Sequence, residues 1–333
     1  MTTARQQRIF MTGASGYIGS RITEYAIQEG YAVHGLSRSA SVAAKLLSLG
    51  AVPVPGDLTS LDVLRAEAAR ADIVMHLADA WTDDFAQPYE NVVRIDGAAV
   101  DAMAAGLAAQ SDDHARKLFI DTSGTAVVAP DANDGETDEA APAHPNPING
   151  RLQCEQHALG LAGRGDGVRV CVIRLPPFVY GRGGSGVRLF MGVFAGLGAV
   201  VRVGDGRART CVVHVDDAAR AYLLAARHAC VQPGRVQDIY NVTASTEVSF
   251  RDLTDAMAAA LGLPVREMET AEATETAGPL AAGFFSLRNR AGSAKARREL
   301  GWTPAEVGIV EDIRSGSYVQ VAKEAKAGTA GKA

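Results

Sequence analysis

The chain has 333 residues, 47% hydrophobic and 21% charged, with a formal net charge of −5. That balance supports a large folded core, and the acidic charge without a basic stripe argues against nucleic acid or an anionic membrane surface as partner. No long apolar run precedes the first expected strand, so neither a leader nor a membrane anchor is expected, and the cytoplasm is the expected compartment.

The first element is a short apolar run, Ile9, Phe10 and Met11. It leads at once into Thr12, Gly13, Ala14, Ser15, Gly16, Tyr17, Ile18 and Gly19, then Ile22 and Ala26 at helical spacing. Strand, Gly-x-x-Gly-x-x-Gly turn and helix make the start of a βαβ unit in which backbone N–H groups and a helix N-terminus meet a dinucleotide pyrophosphate. Gly30 ends the helix, and a second apolar run at 32–36 leads to Ser37, Arg38 and Ser39. A carboxylate at this point takes the ribose hydroxyl of NAD. Arg38 suits a 2′-phosphate instead and, with Ser37 and Ser39 as hydroxyl donors, selects NADPH/NADP+.

Strands are expected at 8–11, 32–36, 51–54, 73–78, 118–121, 169–175 and 239–242, with helices at 17–29, 61–69, 91–109 and 151–162. The alternation predicts an α/β fold with a doubly wound parallel sheet whose ligands sit at the carboxyl ends of the strands. The acidic, proline-rich stretch 130–147 reads as a mobile loop that closes over the site, and 321–333 as a disordered tail. Cys154, Cys171, Cys211 and Cys230 lack metal-ligand spacing, so no metal is expected.

Further along stand Gly56-Asp57-Leu58, His76-Leu77-Ala78, Thr122-Ser123-Gly124, Tyr180-Gly181, His214-Val215-Asp216-Asp217 and Leu300-Gly301-Trp302. In this order and spacing, over nearly the whole chain, they resemble the extended short-chain dehydrogenases/reductases. The resemblance implies that Asp57 and Leu58 border the adenine, that Leu77 and Ala78 approach the cofactor ribose, and that Thr122 also binds the cofactor. It places Pro176 to Phe178 beside the nicotinamide. It further implies a dinucleotide domain at 1–175 plus 212–243 and a substrate domain at 176–211 plus 244–320. Trp81, Phe194 and Phe285 are the candidate substrate contacts. The helices at 91–109 and 151–162 would form a homodimer face, or pack closely within a monomer.

The family's Tyr-x-x-x-Lys pair is absent: no tyrosine of the chain has lysine four residues on. One register puts Pro147 and Arg151 in those positions, and a second puts Asn149 and Gln153 there. A guanidinium can bind the ribose but stays protonated and relays no proton. Gly124 falls where the family places its orienting hydroxyl, leaving Ser123 and Thr125 beside it as candidate donors to a carbonyl. Three readings follow. The first is reduction of a polycyclic ketone whose own neighbouring hydroxyl delivers the proton. The second is NADP(H) sensing without turnover. The third is nucleotide-sugar epimerisation or dehydration, with Arg182, Arg188, Arg202 and Arg209 as diphosphate anchors.

Overall fold

A computed structural model describes residues 5–80, 87–109, 117–231 and 236–330. The strands are β1 (Arg8–Thr12), β2 (Ala32–Ser37), β3 (Val52–Pro55), β4 (Ile73–His76), β5 (Leu118–Gly124), β6 (Arg169–Leu175), β7 (Phe178–Tyr180), β8 (Val200–Val203), β9 (Arg209–His214), β10 (Gln237–Asn241), β11 (Ser245–Ser249) and β12 (Val265–Met268). The helices are α1 (Tyr17–Gln28), α2 (Ala40–Ser48), α3 (Leu61–Ala68), α4 (Tyr89–Ala108), α5 (Arg151–Gly160), α6 (Ser185–Leu197), α7 (Val215–Val231), α8 (Phe250–Leu261), α9 (Thr270–Ala277), α10 (Pro279–Ser286), α11 (Ala294–Leu300), α12 (Ile309–Ser315) and α13 (Tyr318–Ala330).

Seven strands form one parallel sheet in the order β10-β6-β5-β4-β1-β2-β3. Its central strands are apolar on both faces because helices cover both. Ile9, Met11, Ile73, Met75, Leu118 and Ile120 point to the side of α1, α7 and α11. Phe10, Val74, Phe119, Val170 and Val172 point to the side of α3, α4 and α5. The dense small residues of α4 serve contact within the chain: a Cβ on Gly106 would lie 2.2 Å from the Arg65 carbonyl oxygen of α3.

A second core joins α6, α8, α10, α12 and α13 to the small sheets β11-β9-β7 and β12-β8. Two sequence expectations change here. Helix α13 runs on to Ala330 where a disordered tail from 321 was expected, and its start is anchored by Tyr318, Val321 and Ala322, which are buried in this core. Ala296, Leu300 and Trp302, expected in the substrate half, pack instead against the large sheet.

The stretch 130–147 is clamped rather than loose. Asp134 accepts hydrogen bonds from Arg209 at 2.8 Å and Arg288 at 3.3 Å, and Thr137 exchanges backbone bonds with Arg290 and Gly292. Glu139 accepts the Asn241 N–H at 2.8 Å. Each tie reaches across more than 100 positions or into the second core, which a reading of local composition does not reveal.

Candidate active site

The glycine turn packs as its spacing predicts. Gly13 has φ +72°, and a Cβ on it would meet the Ala78 backbone nitrogen at 2.9 Å. A Cβ on Gly19 would lie 2.1 Å from the Gly13 carbonyl oxygen, so α1 starts directly against the turn. The result is a cradle with exposed backbone donors at a helix N-terminus, the shape and polarity a pyrophosphate requires.

The cradle opens into a cleft of about 570 Å³ lined by Gly13, Ser15, Gly16, Tyr17, Ile18, Gly19, Arg38, Asp57, Leu58, Leu77, Ala78 and Thr122. Arg38 follows β2 directly and lines this cleft. Ser37 and Ser39 turn to local work: Ser37 donates to the Ser39 carbonyl at 3.0 Å, and Ser39 caps α2 by accepting the Val42 N–H. Asp57 is occupied by the Thr59 N–H and hydroxyl at 2.8 and 2.7 Å, bonds that hold its carboxyl below the usual range. Sequence reasoning missed Lys45, which donates to the Ser15 carbonyl at 2.7 Å and adds positive charge beside the turn.

Tyr17 reaches out of the turn and donates to the Gly181 carbonyl at 2.7 Å. The Tyr318 hydroxyl, on the last helix, accepts the Gly181 N–H at 2.8 Å and donates to the Gly184 carbonyl at 2.9 Å. The cofactor turn and the second core are thus tied through one short loop.

Leu77, Ala78, Asp79 and Thr122 also border a second cavity of about 320 Å³. Its wall is largely apolar, with Val127, Pro147, Ile148, Leu175, Pro176 and Phe284, and carries His76, Asp79, Thr122, Ser123, Asn149 and Arg151 as polar members. Both Pro147 and Arg151 of the first register reach this wall; Gln153 of the second does not. Arg151 is ion-paired with Asp79, so its guanidinium is fixed at the junction of the two cavities.

Several expected contacts lie elsewhere. Phe178 is 2% exposed and ringed by Phe190, Phe250, Phe284 and Phe285, with centroids 5.9 to 6.4 Å away, so it packs the second core rather than flanking a nicotinamide. Phe194 and Phe285 belong to the same closed core, and their neighbour Phe284 faces the cavity in their place. Thr125 is fully buried and donates to Asn289 at 2.8 Å, which makes it a brace rather than a carbonyl donor. Trp81 lies outside the described residues.

Beneath the junction is a buried polar row that sequence reasoning did not assemble. Thr12, His76 and Asp121 are register partners on three adjacent strands. Thr12 accepts the Leu77 and Ala78 N–H groups, both at 3.2 Å, leaving its own proton for His76 Nδ1 at 2.7 Å. His76 Nε2 donates to Asp96 of α4 at 3.1 Å. Burial opposes charge on this imidazole, but the Asp96 carboxylate overcomes that and raises its pKa. Asp121 is 2% exposed, and burial pushes its carboxyl up to about 7. Beyond it, Glu155 of α5 forms a buried ion pair with Arg174 of β6, with Nε to Oε2 at 3.0 Å.

Among the described residues, His214, Asp216 and Glu306 converge closely enough to suggest a cation. Their charge is already matched, since Arg182 donates twice to Asp216 and Arg220 pairs with Glu306.

The family model described as the NAD dependent epimerase/dehydratase family matches residues 9–243. The chain belongs to that family. The family is nicotinamide-dinucleotide dependent, and the glycine cradle of the cleft has the shape and polarity that group requires. An uncharacterized protein of Schizosaccharomyces pombe is 31% identical over 312 residues, covering 93% of this chain and 99% of its own length. The 4-hydroxy-2-methyl-3-oxo-4-farnesyl-3,4-dihydroquinoline-1-oxide ketoreductase of Stigmatella aurantiaca is 29% identical over 254 residues, 73% of this chain and 70% of that one. The crystal structure of UDP-glucose 4-epimerase from Thermotoga maritima, solved with UDP-glucose, superposes with a TM-score of 0.71 at 20% identity, covering 96% and 99% of the two chains. That likeness concerns the fold. No helix among the described residues is long and apolar enough to cross a membrane.

Proposed function

We propose that this family member is an NADPH-dependent ketoreductase acting on a planar polycyclic hydroxyketone, an aromatic polyketide of the angucyclinone type being the model substrate. The observation that carries the reading is the meeting of the dinucleotide cleft with a largely apolar second cavity at Leu77, Ala78 and Thr122. Apolar walls with a few placed polar groups suit an aromatic ketone. The Stigmatella relative is named for a substrate with an oxo group at position 3 beside a hydroxyl at position 4. A hydroxyl so placed polarises the carbonyl through an internal hydrogen bond.

The four arginines expected to anchor a sugar nucleotide are each ion-paired. Arg182 pairs with Asp216, Arg188 with Glu324, Arg202 with Asp255 and Glu267, and Arg209 with Asp134 and Glu247. None of the four is among the residues lining either cavity.

The deciding experiment follows NADPH absorbance with a panel of polycyclic hydroxyketones, simple ketones and UDP-sugars. Consumption with the hydroxyketones is expected; UDP-sugar conversion without net NADPH loss would replace this reading with the epimerase one. Arg38 supplies the cofactor test. Arg38→Glu is expected to weaken NADPH binding at least tenfold, at about 1.4 kcal/mol per tenfold, while leaving NADH binding nearly unchanged in a fluorescence titration. Equal loss for both cofactors would remove Arg38 from the 2′-phosphate site.

A further inference from the structure

Hydride transfer to a ketone leaves an alkoxide that needs a proton, and the family's phenol is missing. Tyr89 packs its ring against Gly150, but it is not among the residues lining either cavity, and burial pushes its phenol well above the usual range. Two other polar atoms are conspicuous. Ser123 Oγ and Asp121 Oδ2 are both buried and have no hydrogen-bond partner. Buried polar atoms are nearly always satisfied, so two orphans at adjacent same-face positions of one strand point to a missing ligand. Ser123, 5% exposed, lines the cavity; Asp121 lies two residues deeper on β5.

We propose that Asp121 is the proton donor of the reduction, acting through Ser123. The inference rests on the ketoreductase reading above and replaces the substrate's own hydroxyl as the proton source. Reduced nicotinamide, when bound, supplies the hydride. The Ser123 O–H bond then breaks as its proton passes to the alkoxide oxygen, while Ser123 Oγ takes the proton released from the Asp121 carboxyl. The two residues are about 6.6 Å apart along the strand, so the transfer requires one bridging water between the carboxyl and the hydroxyl. Ketone, hydride and proton become alcohol, and Asp121 becomes a carboxylate. His76, its register neighbour, also borders the cavity, and its positive charge favours the carboxylate formed at Asp121.

The surroundings suit a carboxyl that holds its proton near neutrality. His76 and Arg151 favour the ionised form, and burial, the largest influence, outweighs them with help from the Asp96 and Glu155 carboxylates. The adjacent Cys154 thiol is itself pushed up by burial, and Arg174 is neutralised by Glu155, so neither offers a free charge.

The test compares wild type with Asp121→Asn and Ser123→Ala. Each variant is expected to lose about 100-fold or more in ketone turnover with NADPH affinity unchanged, and the double variant to lose no more than the worse single one. Wild-type turnover should fall above about pH 7, as the donor ionises. A readout independent of turnover is the unfolding temperature against pH. A carboxyl raised from 3.8 to about 7 binds more protons folded than unfolded, so it costs stability progressively as pH rises between those values. The gap between Asp121→Asn and wild type should therefore widen in the variant's favour from about pH 4 to 7. A gap constant with pH, or a variant turning over within threefold of wild type, overturns the proposal alone. A wild type that binds NADPH but reduces no ketone overturns the ketoreductase reading, and the relay with it.

Discussion

Gly19→Ala is expected to abolish dinucleotide binding, weakening it by at least 100-fold. The added Cβ would lie 2.1 Å from the Gly13 carbonyl oxygen, 2.8 Å from its carbon and 3.0 Å from Ala14 Cα. All three are backbone atoms of the turn that must wrap the pyrophosphate, so no side chain can swing aside. Either α1 backs away from β1, opening the apolar contact made by Ile22 and Ala26, or the turn flattens and its N–H groups no longer converge. The control is Gly192→Ala in α6, an exposed position where a Cβ meets nothing within 4 Å. That change should stabilise the protein by about 0.5–1 kcal/mol and leave binding alone. Calorimetric titration with NADPH and thermal unfolding of both variants check the pair; Gly19→Ala that binds like wild type would mean the turn does not contact the ligand.

The largest loss of stability is expected from Glu155→Gln. The Glu155 and Arg174 side chains are 1% and 5% exposed, and the guanidinium also donates to the Glu139 carbonyl at 3.2 Å. Neutralising one partner leaves the other as an uncompensated buried charge, at a cost of about 3–5 kcal/mol. With unfolding entropy near 2 cal/mol/K per residue, the midpoint should fall by about 5 °C. Joint replacement by Glu155→Leu and Arg174→Met should recover much of the loss, because the penalty lies in the stranded charge rather than in the missing attraction. A fall equally large in the double variant would show that packing volume dominates the site.

The large sheet was readable in the sequence because its strands, covered on both faces, are written as unbroken apolar runs such as Ile73 to Met75 and Leu118 to Ile120. The cofactor turn was readable because glycine at 13, 16 and 19 answers a local steric demand. The lining of the second cavity was not. Phe284 and Phe285 are neighbours of identical chemistry, and only the rotation of α10 decides which one faces the cavity and which packs the core. Thr12, His76 and Asp121 are separated by 64 and then 45 positions and meet only through strand register. A signal was present all the same: Asp121 closes an otherwise apolar run, at the same parity as the inward-pointing Phe119. A carboxyl at such a position asks for an explanation that composition alone does not provide.

The tie from Tyr17 through Gly181 to Tyr318 bears on how the molecule matures. A ribosome releases the glycine turn some 300 residues before the helix that steadies the loop it leans on. The large sheet can gather around its apolar strands early, yet the loop that receives the Tyr17 hydroxyl stays unbraced until Tyr318 has left the exit tunnel. The tie between glycine turn and loop is therefore completed only once both cores have closed.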